Sequence, residues 1–298
     1  MSSIIRKSPS AGDQSPDVWG VYEQDTGSVQ YIVADPKTRQ AALIDVVQNF
    51  DPRSAKTSFD SANEIIDLVE TNRLTVKWIL DTHPHADHLM ASHYLKLKTG
   101  APNAIGEKTC DIAELWADYY NMPGLFDPNS DFDYLFAEGE TFKIGELDVQ
   151  VWLSPGHTLG SVSYIVGDAA FVHDTLMYPD SGTSRADFPG GSSKDLWNTV
   201  QRILGLPNNT RIFVGHDYGK GGREPQWEAT VAQHKESNIH LSGDVSAAEY
   251  RRVRDERDAT LALPDRMLHA LQVNLRAGQL PPAENDGNHY FKIPANKF

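Results

Sequence analysis

The highest density of metal-binding side chains in this chain of 298 residues lies in one six-residue segment. The short apolar run Val76–Leu80 predicts a buried strand, and the segment His83-Pro84-His85-Ala86-Asp87-His88 follows it closely. Three imidazoles and a carboxylate together form a ligand set for metal ions. Open α/β folds place their sites at strand ends, so this segment favours a layered α/β protein with a metal centre.

Three further predicted strands end in the same kinds of side chain. They are Leu147–Leu153 followed by His157, Ala170–Val172 followed by His173-Asp174, and Arg211–Val214 followed by His216. For the first segment alone, a polar loop in which Asp87 caps the helix Leu89–Lys98 is a sufficient interpretation. Four strand ends that deliver His or Asp to one edge of a sheet instead predict a common metal centre.

The rest of the chain alternates between strand and helix patterns, which favours a layered α/β domain over a helix bundle or a β-sandwich. A polar start, residues 1–17, is predicted to be flexible, and the last residues, 241–298, are predicted to pack on the main domain. The other predicted elements are a hairpin of Val29–Val33 and Ala41–Val46, the strand Ser161–Val166, the loop Met177–Ser193, and helices over Ser61–Val69, Leu89–Lys98, Ile112–Tyr120, Leu196–Leu204, Gln226–Lys235 and Ala247–Asp258.

Composition excludes several classes of function. Lys and Arg number 27 against 41 Asp and Glu, a formal net charge of −14, which argues against binding nucleic acid. Cys110 is the only cysteine, so an intrachain disulfide and a cysteine-based zinc cluster are both impossible. The sequence shows neither a signal-peptide core nor an apolar run long enough to span a membrane. We therefore expect a soluble, cytoplasmic protein.

The motifs HPHADH, SPGHT, HDTL and GHDY resemble those of the metallo-β-lactamase superfamily. The resemblance implies an α/β fold, a four-layer αββα sandwich over residues 18–240, with its metal site at the shared edge of two sheets. It implies one metal position formed by His83, His85 and His157. The second position would be formed by Asp87, His88 and His216, with Asp174 between the two.

Further segments are similar to the persulfide dioxygenase branch of that superfamily. They are Asp174-Thr175-Leu176, Ser184-Arg185-Ala186-Asp187-Phe188, His216-Asp217-Tyr218 and Gln272–Gly278. The similarity implies one Fe(II) per chain on His83, His157 and Asp174, with O₂ as the oxidant of glutathione persulfide or a related persulfide. The remaining ligand-type side chains would then surround the iron without binding it. They are His85, Asp87, His88 and His216.

Two side chains are predicted to bind the thiol-bearing substrate. Arg185 follows a metal ligand in a loop rich in small residues and could bind a carboxylate through two hydrogen bonds; glutathione carries two carboxylates. Tyr218 could present its hydroxyl group to the same substrate, and Asp87 and Tyr218 are the predicted catalytic side chains. The alternatives are an Arg185 paired with a neighbouring acid and a Tyr218 that only packs.

Two other functions remain open at this stage. A dinuclear hydrolase of the glyoxalase II type, a thioesterase, would hold two zinc or iron ions. The other is a binding module without catalysis, which the complete set of predicted metal ligands disfavours. His173 departs from the family pattern, which usually has Gly there, and predicts a crowded metal site. The Asp174–Arg185 loop is also longer than usual, and the oligomeric state, a homodimer included, is left open.

Overall fold

The computed structural model describes residues 3–298. Its strands are β1 (Ile4–Ser8), β2 (Asp17–Tyr22), β3 (Val29–Ala34), β4 (Gln40–Ile44), β5 (Val47–Asp51), β6 (Lys56–Ser58), β7 (Thr75–Leu80), β8 (Leu89–Met90), β9 (Asn103–Gly106), β10 (Tyr134–Phe136), β11 (Thr141–Ile144), β12 (Leu147–Leu153), β13 (Val162–Val166), β14 (Ala169–Phe171), β15 (Arg211–Phe213) and β16 (Glu228–Thr230). Its helices are α1 (Asp60–Thr71), α2 (Ser92–Thr99), α3 (Thr109–Tyr120), α4 (Pro128–Asp131), α5 (Ser193–Leu204), α6 (Val231–Ser237), α7 (Ala247–Asp258) and α8 (Met267–Asn274). Within residues 3–298, none of these helices is long and apolar enough to cross a membrane.

Most strands belong to two mixed sheets. The first has the order β1-β2-β3-β4-β7-β9-β10 and the second the order β11-β12-β13-β14-β15-β16, while β6-β5-β8 form a small third sheet. The pairs β4–β7, β7–β9 and β14–β15 are parallel. The predicted α/β sandwich is confirmed, and the predicted hairpin of β3 and β4 is an antiparallel pair.

Successive side chains of β3 alternate between two apolar clusters, one on each face of the first sheet. Tyr31 lies between the two large sheets, where its ring centroid is 5.4 Å from that of Phe171 and 5.6 Å from that of Phe213. Ile32 points to the opposite face and packs in a cluster with Ile65 of α1 and Leu95 of α2. Successive strand residues face opposite sides, so β3 must be buried on both faces, as its continuous apolar sequence requires.

The C-terminal residues pack on this sandwich. Tyr250 of α7 stands 5.1 Å, between ring centroids, from Trp197 of α5. On α8, Met267 and Leu271 pack with Trp116 of α3 in one apolar cluster. The segment predicted as an extension therefore forms one side of the molecule near the metal motifs.

The N-terminal segment differs from the prediction of a flexible start. Residues Ile4–Ser8 form β1, which pairs antiparallel with β2 along its whole length. Side chains alternate between exposed and half-buried along this strand, the pattern of an edge strand with one covered face. Lys7 also pairs with Asp17 at 2.8 Å. The polar composition concealed this edge strand.

Two predicted helices begin later than expected. In the segment Gln226–Lys235, residues Glu228–Thr230 pair with β15 as β16, and α6 starts only after Thr230, which caps it in a box with Gln233. In the segment Leu89–Lys98, residues Leu89–Met90 pair with β5. Asp87 therefore lies too far from α2 to cap it, and its carboxylate contacts His216 and His88 instead.

Candidate metal centre

The ends of five strands meet along one edge shared by the two large sheets. From the first sheet, β4 leads to Asp45 and β7 leads to the segment 81–88. From the second sheet, β12, β14 and β15 lead to His157, to His173-Asp174 and to His216. All seven residues predicted as ligands lie in this cluster, together with His173. Ring centroids of His83 and His157, which come from different sheets, are 5.0 Å apart.

His83, His157 and Asp174 form a group that we call the outer triad. Asp174 Oδ2 lies 3.8 Å from His83 Nε2 and 3.5 Å from His157 Nε2. An ion about 2.1 Å from each ligand atom requires neighbouring ligand atoms roughly 3 to 3.5 Å apart. A small inward movement of these three side chains would therefore suffice to coordinate a divalent ion.

Hydrogen bonds fix the tautomers of the imidazoles. His157 Nδ1 donates to the carbonyl oxygen of Arg185 at 2.8 Å, which leaves its Nε2 as the lone-pair nitrogen. Thr82 donates its hydroxyl proton to Asp45, so the Thr82 oxygen accepts from His83 Nδ1. His83 Nε2 therefore also carries a lone pair, and its orientation is set by an acceptor, as is usual for metal-binding histidines.

Burial prepares the same imidazoles for metal binding. Loss of hydration, reinforced by neighbouring imidazoles, lowers the pKa of His83 and of His85 well below the ordinary histidine value. Burial likewise lowers the pKa of His157. Metal ions bind the neutral imidazole, so these residues are competent ligands at neutral pH.

His216 lies between two carboxylates. Its Nδ1 contacts Asp174 Oδ1 at 2.6 Å, and its Nε2 contacts Asp87 Oδ2. Burial alone would lower the pKa of His216, but Asp174 and Asp87 raise it well above the ordinary value. Burial alone would raise the pKa of both carboxyl groups, but His216 together with His88 at Asp87 and with His173 at Asp174 lowers it well below the ordinary value. The structure thus places predicted ligands of the second metal position in an ion-paired group.

Unpaired nitrogens support the assignment of the cluster to metal binding. The buried atoms His83 Nε2, His85 Nδ1 and His88 Nε2 have no hydrogen-bond partner in residues 3–298. Buried polar atoms without a partner are rare in folded proteins and point to an ion or a water molecule. Neutral imidazoles beside carboxylates fit a divalent metal ion, so the donor set present agrees with the predicted metal dependence.

His173 is a buried member of the cluster. Its φ angle is +36°, in the left-handed region that a residue with a side chain seldom adopts. Its ring rests against Gly215, where an added Cβ would lie 2.3 Å from ring atoms of His173. The predicted crowding is therefore relieved by a glycine on the neighbouring strand end.

A cavity of about 660 Å³ opens onto the cluster. Asp87, His157, Asp174 and His216 lie in its wall, and α7 contributes Val253, Arg254 and Arg257. Tyr218 is exposed at this cavity and stacks on His216, with ring centroids 5.9 Å apart. The sandwich and the C-terminal segment thus enclose the space in which a substrate would meet the metal.

Arg185 lines the cavity but is already paired. Its Nε and Nη2 donate to the carboxylate of Asp187 at 2.7 and 2.8 Å, and its Nη1 donates to the carbonyl oxygen of Ala262 at 2.7 Å. Its substrate-binding role remains a prediction, because the carboxylate that it binds in the structure belongs to the chain. Lys220 and Arg257 line the same cavity, and no carboxylate among residues 3–298 forms a salt bridge with either.

Two contributors to the site were missed from the sequence. Asp45 accepts hydrogen bonds from His85 Nε2 at 2.9 Å and from the backbone and side chain of Thr82. Its position directly after a strand was a signal, but a single aspartate forms no motif. Arg257 lies on a charged helix far from the metal motifs in sequence, and no sequence pattern indicated that this helix borders the cavity.

A family model described as the metallo-beta-lactamase superfamily matches residues 28–216. This range contains every predicted metal ligand. The chain belongs to the metallo-beta-lactamase superfamily. The solved structure of ETHE1 from Myxococcus xanthus is similar, with a TM-score of 0.70, 26% identity, and coverage of 93% of this chain and 100% of that one. Both comparisons agree with the fold described above.

Proteins similar to this chain carry different names. A beta-lactamase hydrolase-like protein of Xylella fastidiosa is 51% identical over 283 residues, 95% of this chain and 65% of the relative, so the chain spans just under two thirds of that protein. Glyoxylase B2 of Dictyostelium discoideum is 41% identical over 277 residues, 92% of this chain and 95% of the relative. The mitochondrial persulfide dioxygenase ETHE1 of Mus musculus is 27% identical over 268 residues, 88% of this chain and 89% of the relative.

Proposed function

We propose that the protein is an Fe(II)-dependent dioxygenase that oxidises glutathione persulfide, or a related persulfide, to sulfite. The observation that carries the proposal is the outer triad, two histidines and one aspartate, of which His157 and Asp174 reach the cavity wall. Two imidazoles and a carboxylate on one face are typical of non-haem Fe(II) oxygenases. The names of the mouse relative and of the Myxococcus xanthus structure support the same reaction.

The reaction balances with water as co-substrate. One persulfide, one O₂ and one water give one thiol, one sulfite and two protons; the terminal sulfur is oxidised and O₂ is reduced. His83, His157 and Asp174 would hold the iron, which would supply the binding and activation of O₂. The protein contributes fixed imidazole tautomers and a hydrogen bond from His216 Nε2 to Asp87 Oδ2 at the cavity wall.

The cavity fits an anionic thiol compound. Lys220 and Arg257 supply positive charges without a carboxylate partner among the described residues, and Phe188, Ile239 and Val253 supply apolar wall. We propose that the two cations bind carboxylates of a glutathione-like substrate. Because Asp187 holds its guanidinium group, Arg185 then lies beside these cations as a secondary contact and is not the main group that binds the substrate carboxylate. Tyr218 closes the space near His216.

A dinuclear thioesterase is the second candidate. Its support is that Asp87, His88 and His216 lie beside Asp174, a set sufficient for a second metal ion. The name of the relative from Dictyostelium discoideum, Glyoxylase B2, points in the same direction. This function requires two ions per chain and no O₂.

Oxygen consumption distinguishes the two reactions. We expect protein prepared without air to hold about one iron per chain and to consume one O₂ for each sulfite formed from glutathione persulfide. Asp174→Ala should lose both the iron and the activity, whereas Asp148→Ala, at an exposed aspartate of β12, should keep both. Cleavage of a glutathione thioester by protein with two ions per chain, without O₂ uptake on persulfide, would favour the thioesterase and reject the dioxygenase.

A further inference from the structure

A second group of three imidazoles lies beneath the outer triad. His83, His85 and His173, which we call the inner triad, have ring centroids 4.2 Å apart for His83–His85, 4.5 Å for His85–His173 and 5.2 Å for His83–His173. At most 3% of each residue is exposed, and none of the three is among the residues that line the large cavity. One potential ligand atom from each lies within 4.8 Å of the others.

Each member of the inner triad has at least one nitrogen without a partner. Among the described residues, His83 Nε2 and His85 Nδ1 make no hydrogen bond, and neither ring nitrogen of His173 makes one of good geometry, with His173 Nδ1 lying 3.2 Å from Asp174 Oδ1. Leaving one buried polar atom unpaired costs about 1–3 kcal/mol. Several such atoms converge in one buried space, and a single cation bound there would satisfy all three rings.

Asp45 gives this group the environment of a metal site. His85 Nε2 donates to Asp45 Oδ1 at 2.9 Å, so the lone pair of His85 is on Nδ1. The Thr82 hydroxyl group donates to Asp45 and accepts from His83 Nδ1, so the lone pair of His83 is on Nε2. His173 Nε2 lies 3.4 Å from Asp45 Oδ2. A carboxylate behind ligating imidazoles fixes their tautomers and increases their basicity, and its negative charge offsets that of a bound cation.

The backbone is strained in a way that brings His173 into this position. A φ of +36° at a residue with a side chain costs of order 1–3 kcal/mol, and such strain is concentrated at functional sites. Gly215 provides the space for the ring, because any side chain there would collide with it. Both features favour a role for the His173 ring that glycine could not perform.

We propose that the inner triad is a second cation site, specific for divalent ions that prefer imidazole ligands, such as Zn²⁺. Three imidazole ligands suit Zn²⁺ or Cu²⁺, whereas the carboxylate of the outer triad suits Fe(II). His83 belongs to both triads, and only its Nε2 is free to bind. An ion in the inner triad therefore removes a ligand from the outer one, so that Zn²⁺ and Fe(II) compete for the chain.

Zinc binding by the full chain, stripped of metal with a chelator, tests this proposal. Asp174→Ala removes the carboxylate of the outer triad, and we expect it to bind one Zn²⁺ per chain. Adding His173→Gly should weaken this binding more than about 100-fold, since losing even an outer partner of a ligand costs 10–100-fold. Glycine adopts a positive φ readily, so this change preserves the backbone. Asp174→Ala with His289→Gly, at a histidine of the C-terminal tail, is the matched control.

Two results would overturn the proposal. One is a folded Asp174→Ala protein that binds no Zn²⁺, and the other is unchanged affinity after His173→Gly is added. If Asp174→Ala does not fold, Co²⁺ absorption of the wild-type chain and of His173→Gly alone decides: loss of one nitrogen ligand supports the inner triad, and identical spectra reject it. No turnover is measured, so the outcome is independent of the dioxygenase proposal.

Discussion

Asp45 determines which nitrogens of two metal-site histidines carry the lone pair. It accepts from His85 Nε2 directly and orients His83 through the hydroxyl group of Thr82. An amide at this position keeps the shape but loses the negative charge and one acceptor. The orientation of both rings therefore depends on a carboxylate that is itself no member of the outer triad.

We expect Asp45→Asn to weaken Fe(II) binding by about 10–100-fold, the usual effect of losing an outer partner of a ligand. Competition between the protein and a colorimetric chelator measures this. Asp148→Asn, at an exposed aspartate of β12, is the matched control. Equal iron affinity of Asp45→Asn and wild type would contradict the role of Asp45.

Arg257 is the residue on which the substrate proposal depends most. A charge-assisted hydrogen bond to a substrate carboxylate is worth about 1.5–3 kcal/mol, so Arg257→Ala should reduce kcat/KM by roughly 10–100-fold, mainly through KM. Arg185→Ala should also raise KM more than it lowers kcat, by a smaller factor, because Asp187 already neutralises that guanidinium.

The control for Arg257 lies on the same helix. Arg252 pairs with Glu249 and Glu256 on the exposed face of α7, away from the cavity, so Arg252→Ala should leave steady-state kinetics on glutathione persulfide unchanged. If Arg257→Ala behaves like Arg252→Ala, the carboxylate anchor is elsewhere.

The predicted ligands could be found from the sequence because each follows a clear apolar strand within a motif. His83 and His85 stand in a six-residue segment, and Asp174 follows the short strand β14. Asp45 occupies an equivalent place after β4 but has no neighbouring histidine to mark it. The pairing of Arg185 with Asp187 could not be predicted either, because a guanidinium two residues from an acid can face either solvent or its neighbour.

Among the elements, α8 joins the C-terminal segment to the metal-binding loop. Asn274, its last residue, accepts from the backbone of Met90 at 2.8 Å and donates to the carbonyl oxygens of His85 and His88 at 2.7 and 2.8 Å. The Asn274 side chain is fully buried. One amide thus holds two backbone carbonyl groups of the segment that supplies three of the histidines in the cluster.

We expect Asn274→Ala to lower the free energy of unfolding by roughly 2–4 kcal/mol, since it leaves buried backbone groups unpaired, and to weaken metal binding by loosening the loop. Urea denaturation and iron content measure the two effects. Asn288→Ala, at an exposed asparagine whose side chain hydrogen-bonds to Asp286 at the surface, should alter neither. A stable Asn274→Ala protein with full iron content would show that α8 is dispensable for the loop.

Short strands explain why some element boundaries were wrong. The range of α7 was predicted to the residue because its polar run has a serine cap and a sharp end. By contrast, β8 and β16 have two and three residues and exist only because β5 and β15 lie beside them. Strand preference depends on such neighbours, which the sequence does not show. The helical pattern of the residues that follow each short strand therefore led to a predicted helix that began too early.

At the scale of the whole molecule, the outer triad connects the two sheets. His83 comes from the first sheet, whereas His157 and Asp174 come from the second. A ligand that binds only the folded state stabilises it by about 2.7 kcal/mol at a free concentration of 100 times Kd. When both proteins have been stripped of metal and exposed to Fe(II) alone, we expect a chelator to lower Tm in calorimetry for the wild-type chain but not for Asp174→Ala, and equal shifts in both would place the stabilising ion elsewhere.

Acid sensitivity should persist without metal. His234 on α6 is fully buried, and burial lowers its pKa to about 4; burial, aided by Arg254, lowers that of His240 to about 4 as well. The ordinary histidine pKa is about 6.5, so between pH 6.5 and 4 the unfolded chain binds more protons than the folded one. Stability is complete above about pH 6.5 and falls as the pH drops through this window.

His234 alone should contribute about 3 kcal/mol to this loss, from a shift of roughly 2.5 pH units at 1.36 kcal/mol each. Urea denaturation of the chelated chain from pH 7 to pH 4 measures it. His234→Gln removes the titrating ring and should flatten the profile by that amount, whereas His289→Gln, on the C-terminal tail, should leave the profile unchanged. An identical slope for His234→Gln and wild type would mean that the buried ring of His234 is not what makes the fold acid-sensitive, and that the imidazoles of the metal cluster carry the effect instead.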